Sequence, residues 1–464
     1  MILAIPRWLA DGVLPFATAA VVLLALLLGG GTQQGFWSDA AIQLASLPLL
    51  ALVLLSPNLM RVPRAPVILL CLLIALPLAQ IIPLPPTLWT ALPGREEVAR
   101  GYSAASLSLP WLPISLAPNI TWRSVFSLLP AVAVFLAILR LSNRSRRILV
   151  VMMLAVTFLS VLLDLFQMMG GQSSALRFYA ITNVDRAVGF FANSNHNAAF
   201  LYCAIPFAAA WGIGLRRQPG RALLVVLLLG TVMVGLALAQ SRTGLILSVI
   251  AGLSCIALVM CNGSGMPRRR LLIVVVGGNV IALLIAFQFG FVSLAKRMQD
   301  ADIMGDLRWP VASVTLKAAQ ANLPFGTGFG TFVPVYQTVE PRTLLLERYL
   351  NRAHNDWLEL GLEGGVLSIA GLLVFLAWFG RLSFQVWRPG QRGADALDTG
   401  LARAGSIIVI LLMLHSIVDY PLRTTALMVV FALGCALLIS PKRTSDGREF
   451  YGEPLAAKFP AKTS

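Results

Sequence analysis

Apolar runs of roughly 17–25 residues recur along the whole of this 464-residue chain, and each is long enough to cross a hydrocarbon layer of roughly 30 Å as a helix. Inside such a layer every backbone N–H and C=O must find its partner within the protein, which leaves only helices and closed barrels. A barrel strand alternates apolar and polar residues. The runs here are continuous, so helices are expected. Charged residues make up only 12% of the chain and hydrophobic ones 58%, against about 25% charged in soluble domains. The expected fold is an all-α integral membrane protein with about 12 transmembrane helices and a large periplasmic loop containing short helices.

The spans are placed at 12–30, 40–56, 66–82, 123–140, 148–168, 195–214, 222–239, 244–261, 271–290, 363–380, 404–420 and 424–440. They form a single polytopic domain over 1–440, followed by a polar cytoplasmic tail over 441–464 that is expected to be disordered. Arg7 precedes the first run, which exceeds a signal-peptide core and is followed by no Ala-x-Ala site. An uncleaved first helix is therefore expected. Cys71, Cys203, Cys255, Cys261 and Cys435 lie in or beside apolar runs without a Cys-x-x-Cys pair. Free thiols are expected, with neither a zinc site nor a disulfide framework.

A net charge of +16 would suggest nucleic acid as the partner of a soluble protein. Here the bias of Lys and Arg toward cytoplasmic loops accounts for it better, and the partner is the lipid bilayer. With both termini in the cytoplasm, the inner segments are 1–11, 57–65, 140–147, 215–221, 262–270, 381–403 and 441–464. They carry 22 Lys+Arg against 6 Asp+Glu. Arg144-Ser-Arg-Arg147, Arg216-Arg217 and Arg268-Arg-Arg270 sit in short loops, where the rule is strongest. The same orientation gathers 83–122, 169–194, 240–243, 291–362 and the surroundings of His415 and Asp419 on the outer face. All three histidines come with them, as do Arg186, Arg242 and Arg308.

The longest polar interruption, 291–362, is expected to be the catalytic loop. Leu307, Val311, Val314 and Ala318 recur at helical spacing. A helix is expected from Asp306, as its cap, to Asn322, ended by Pro324. Gly326, Gly328 and Gly330 then read as a flexible turn, because the sequence lacks the strand and βαβ context of a dinucleotide loop. A charged helix is expected near 340–352, and Asn355 is placed to cap the helix leading into span ten.

Each candidate has a plain alternative. His354 is a general base or a polar residue satisfied at a loop–helix junction. Arg186, Arg242 and Arg308 bind diphosphate through planar guanidinium groups, or else anchor headgroups and pair with Asp185 and Asp306. Arg242 is the sharpest case, standing in a very short outer turn. His196 lies where Asn193 or Ser194 caps span six. His415 and Asp419 are four apart, on one helical face, and a hydrogen bond between them locking spans eleven and twelve is preferred to a direct chemical role. Asp164 must face protein or water. Asp164 and Gln288 have no place in the catalytic reading.

Arg186-Ala-Val-Gly-Phe-Phe-Ala-Asn-Ser-Asn-His-Asn-Ala-Ala-Phe-Leu201, Ser241-Arg-Thr-Gly244, Arg308-Trp309 with Pro324-Phe-Gly-Thr-Gly-Phe-Gly-Thr-Phe332, and His354-Asn355 with Leu358-Glu-Leu-Gly-Leu-Glu-Gly-Gly365 follow in order. With His415-Ser-Ile-Val-Asp-Tyr-Pro421, they resemble the O-antigen ligase and polymerase superfamily over roughly 180–425. The resemblance implies a transferase that moves a glycan from undecaprenyl diphosphate to a sugar hydroxyl on the periplasmic side of the bacterial inner membrane. It further implies an inverting mechanism without metal or ATP. Arg242, Arg308 and His354 fall on the family's essential positions, while His196 lies where the family varies. Arg242 and Arg308, with Arg186, would hold the departing diphosphate. His354, neutral at rest, would take the acceptor's proton. Asn355, His415 and Asp419 are the remaining candidates for the substrate site. The acceptor is lipid A–core for an O-antigen ligase and another lipid-linked repeat for a polymerase. A protein-glycosylating relative and a transporter remain as alternatives.

Overall fold

The computed structural model describes residues 7–33, 36–55, 63–214, 219–261, 308–345, 349–388 and 395–439. Helices α1 (Arg7–Leu28), α2 (Trp37–Leu55) and α3 (Arg64–Ala79) come first. An excursion follows, closed by the antiparallel pair β1 (Pro83–Leu84) and β2 (Leu112–Pro113) around α4 (Pro86–Trp89) and α5 (Glu96–Ala104). Five long helices succeed it: α6 (Pro118–Ile138), α7 (Asn143–Met169), α8 (Ser194–Gly214), α9 (Pro219–Ala239) and α10 (Arg242–Cys261). The rest of the described chain holds α11 (Arg308–Ala321), α12 (Phe332–Val339), α13 (Asp356–Trp387), α14 (Ala396–His415) and α15 (Thr425–Leu437).

A helix occupies every expected span except 271–290, which lies outside the described residues. Also outside them are Asp306, Gln288, Arg216-Arg217, Arg268–Arg270 and the tail 441–464. By length and composition, six helices among the described residues are long and apolar enough to cross a membrane.

Helix α8 is the axis of the bundle. It is apolar all round, the signature of a helix enclosed on every side. Every residue from Ala198 to Ala204 is fully buried, against α9, α10 and α14. Close approach depends on small residues. A Cβ at Gly244 would stand 2.5 Å from the Ala198 Cβ, and one at Gly405 would stand 2.7 Å from the Gly434 carbonyl oxygen. These two contacts join α10 to α8 and α14 to α15.

The two ends of the bundle differ chemically. At one end, guanidinium groups cap helix C-termini, where carbonyls lack intrahelical partners. Arg146 donates to the Ile138 and Ile439 carbonyls, Arg140 to that of Val53 and Arg403 to that of Val386. Arg147 pairs there with Asp395 and Asp398. At the other end the polar stretches assigned to the outer face meet. Leu116 N donates to Thr327 O, Ala187 N to Leu238 O and Asp356 N to Ser416 O. The five cysteines are free.

Three local expectations need correction. The charged helix near 340–352 is reduced, in the described part of that segment, to a single 3-10 turn at Arg342–Leu344, and the α-helix lies earlier, at α12. Its Phe332, Val335 and Tyr336 pack with Val311 and Ala318 of α11, and burial of that face decides where the turn forms. The glycine run is not a loose turn. Thr327 N and Gly328 N donate to the Leu362 and Glu363 carbonyls, and Val366 N donates to Pro324 O. This backbone clasp enters a break in α13 at Gly365, whose φ of 60° and ψ of −151° are essentially open only to glycine. Gln80 reinforces the clasp, donating to the Phe325 and Glu363 carbonyls and accepting from Phe329 N. Thirdly, the helix expected over 404–420 begins at Ala396 and stops at His415.

Candidate active site

That early stop shapes the site. The amides of Val418 and Asp419 both donate to the His415 carbonyl, and the chain turns. His415 and Asp419 therefore do not share a helical face, and the hydrogen bond expected between their side chains does not form. His415 is fully buried, and its Nδ1 lies 3.0 Å from the Tyr202 hydroxyl on α8. The lock runs from α14 to α8 instead.

Asp419 faces elsewhere. Its Oδ2 accepts from the Asn195 side chain at 2.5 Å, and its Oδ1 accepts from the Tyr420 amide at 2.9 Å. The His354 Nδ1 lies 3.4 Å from Oδ1 and the His196 Nε2 3.9 Å from it. Asn195 and His196 reach this carboxylate because the Asn193 side chain accepts from Asn195 N and opens α8 there. One residue on, the Asn197 side chain donates to both carboxylate oxygens of the buried Asp164, so Asp164 anchors the same turn. The Tyr420 ring stands edge-on to both imidazoles, 4.8 Å from His196 and 5.0 Å from His354 between centroids.

Burial alone would raise the Asp419 carboxyl, but the contact with His354 and the charges of His354, His196 and His415 outweigh it. The group is held well below the usual carboxylate range. For Tyr420, burial and the adjacent Asp419 charge both raise the phenol, which stays neutral. An ionised Asp419 favours the His354 tautomer with its proton on Nδ1. The lone pair is then on Nε2, on a side chain that is 26% exposed. An oriented, part-open imidazole of this kind is equipped to accept a proton.

His354 has a φ of 53°, a left-handed conformation that costs a non-glycine residue on the order of 1–3 kcal/mol. The neighbouring residues are pinned. Ala353 N donates to Glu359 Oε1 at 2.7 Å. Asn355 caps α13 by accepting from Trp357 N and Leu358 N, and its amide donates to the Ile417 carbonyl. Asn355 is thus a structural cap and a tie to the Asp419 turn.

The arginines gather at the same end. Arg308 opens α11, and its charge acts on His415. Arg242 opens α10, directly after Gln240, which has a φ of 50°, and Ser241, whose hydroxyl accepts from Gly244 N. Arg186 is half-buried. The bond from Ala187 N to Leu238 O sets its backbone beside the end of α9. Its own carbonyl accepts from the Arg177 guanidinium.

The sequence reading missed Asn195, Tyr202, Tyr420 and a buried set around Arg423. Acids at Asp356, Glu359 and Glu363 recur on one face of an apolar helix, a visible signal that counter-charges must lie nearby. Among the described residues, no group of three or more His, Cys, Asp or Glu is arranged to hold a metal ion.

Residues 223–376 match a family model described as O-Antigen ligase. The match takes in Arg242, Arg308, His354 and Asn355, while Arg186, His415 and Asp419 fall outside it. No curated protein sequence matches the chain significantly.

Proposed function

From the match of residues 223–376 to the O-antigen ligase family model, we propose that this chain belongs to that superfamily and transfers a glycan from undecaprenyl diphosphate to a sugar hydroxyl at the periplasmic rim of the bacterial inner membrane. The observation that carries the reading is the buried Asp419 carboxylate 3.4 Å from His354 Nδ1. This pair is the means by which a single imidazole becomes an oriented base.

In the proposed step the acceptor hydroxyl attacks the anomeric carbon from the face opposite the diphosphate. The bond from that carbon to the diphosphate oxygen breaks, the hydroxyl proton passes to His354 Nε2, and the configuration inverts. Asp419 stabilises the imidazolium that results. Arg242 and Arg308, with Arg186, take up the charge growing on the leaving diphosphate through planar, bidentate contacts. The chemistry requires no metal or nucleotide, since the leaving group is already activated.

Ligation to lipid A–core in lipopolysaccharide biosynthesis is the preferred acceptor assignment, with repeat-unit polymerisation as the alternative. Transport is disfavoured by the break in α13, because the Pro324–Gly330 backbone fills it rather than leaving an open midplane site. The test is reconstitution with an undecaprenyl-diphosphate-linked glycan, with and without lipid A–core. Glycan on lipid A–core supports ligation, and chain lengthening in its absence supports polymerisation. His354→Ala and Arg242→Ala are expected to lose transfer in either case, and wild-type rates from both would refute the mechanism.

A further inference from the structure

Asp356, Glu359 and Glu363 are buried in the first two turns of α13, a helix that further along exposes Val366, Leu367, Leu373 and Val374. Acids in such a setting need counter-charges. Arg423, in the turn leading to α15, supplies one. Its Nε lies 3.3 Å from Asp356 Oδ1, its Nη2 3.4 Å from Glu359 Oε2 and its Nη1 2.9 Å from Glu363 Oε2. Arg352 supplies another, with Nη1 3.3 Å from Glu359 Oε2. Two guanidinium groups thus face three carboxylates, and Glu363 Oε1 is buried without a hydrogen-bond partner among the described residues.

A buried ionic set of this kind is a poor way to add stability, since well-packed apolar residues do as well or better. What it offers is fixed geometry, and its attachments indicate what is fixed. On one side, Glu359 Oε1 accepts the amide proton of Ala353, the residue before His354. On the other, Asp356 Oδ2 accepts from the Ser416 hydroxyl and the Leu422 amide, which flank Asp419. The cluster therefore grips the two backbone segments that carry His354 and Asp419. The left-handed φ of His354 is not self-sustaining, and Asn355 secures only its far side.

We infer that Glu359, braced by Arg423 and Arg352, is a positioning residue that holds His354 in register with Asp419. It touches no substrate and acts through His354. The inference rests on the reading of His354 as the base.

The test uses the full-length protein in lipid, with undecaprenyl-diphosphate-linked glycan as donor, and lipid A–core or a second lipid-linked glycan as acceptor. Misplacement of a reacting group by about 1 Å can cost roughly 100-fold in rate. Glu359→Ala is expected to lower kcat at least tenfold, with KM for donor and acceptor within about twofold of wild type. Glu359→Gln retains an oxygen for the Ala353 amide and is expected to recover part of that loss. Here kcat is counted per folded molecule, because a fold-supporting role alone lowers activity only in proportion to the folded fraction and leaves that kcat at the wild-type value. Wild-type kcat in Glu359→Ala, a loss confined to KM, or equal rates in the two variants would overturn the inference. Should Glu359→Ala fail to fold, Glu359→Gln decides alone: reduced kcat at unchanged KM sustains the inference, and wild-type kcat overturns it. His354→Ala in the same assay separates the two levels. If it transfers at the wild-type rate, the base assignment fails; if it is inactive while Glu359→Ala keeps the wild-type kcat, only the positioning role fails.

Discussion

Asp419→Asn isolates the carboxylate proposed to turn His354 into a base, because it keeps the shape and removes the charge. At the observed 3.4 Å, a unit negative charge stabilises an imidazolium by about 4–5 kcal/mol when the effective dielectric constant is about 20. Losing all of that from the transition state would slow transfer by about 10³-fold. The asparagine amide retains part of the contact, and His354 is partly open to solvent, so the expected fall in kcat is about 10²- to 10³-fold. Substrate KM should change little, because Asp419 is buried beneath the imidazole. The assay is single-turnover transfer in proteoliposomes from a lipid-linked glycan, with the folded fraction of each variant measured alongside. Asp419→Asn with transfer within about threefold of wild type would refute the dyad, and with it the electrostatic reason for the Nδ1–H tautomer.

Gly365→Ala places a Cβ 2.1 Å from the Pro324 carbonyl oxygen at a backbone conformation closed to alanine. Loss of the clasp should cost about 3 kcal/mol or more, read as a lower melting temperature in micelles; an unchanged melt would contradict the clasp. Acid titration tests Asp419 differently. Its folded value is depressed, so its stabilisation is complete above the ordinary 3.8 and fades as pH falls toward the folded value. Thermal melts below about pH 5 should therefore fall more steeply for wild type than for Asp419→Asn, and parallel curves would contradict this.

Much of the fold was legible because hydropathy and charge act over long stretches. The positions of the long described helices followed from run length. Counting arginines grouped His196, His354 and His415, and His196 and His354 do stand against Asp419, while His415 turns to Tyr202. The Asn355 cap was readable from residue type. What escaped was set by tertiary contacts. The pairing of His415 with Asp419 assumed a helix through 420, but the chain turns at His415 and sends the two side chains to different partners. Gly326, Gly328 and Gly330 read as flexible because glycine permits many conformations, whereas here each adopts a positive φ against the break at Gly365. The helix at Phe332–Val339 was missed although Phe332, Val335 and Tyr336 have helical spacing, because the charges after Glu340 drew the assignment forward.

The central claim is that Arg242 and Arg308 hold the departing diphosphate while His354 addresses the acceptor hydroxyl. Cryo-electron microscopy of the protein in nanodiscs with undecaprenyl diphosphate bound tests it most directly. The account predicts the diphosphate within hydrogen-bonding reach of both guanidinium groups, with the His354 imidazole bordering the same cavity. Diphosphate density on a different face, or the three side chains opening into separate cavities, would contradict it.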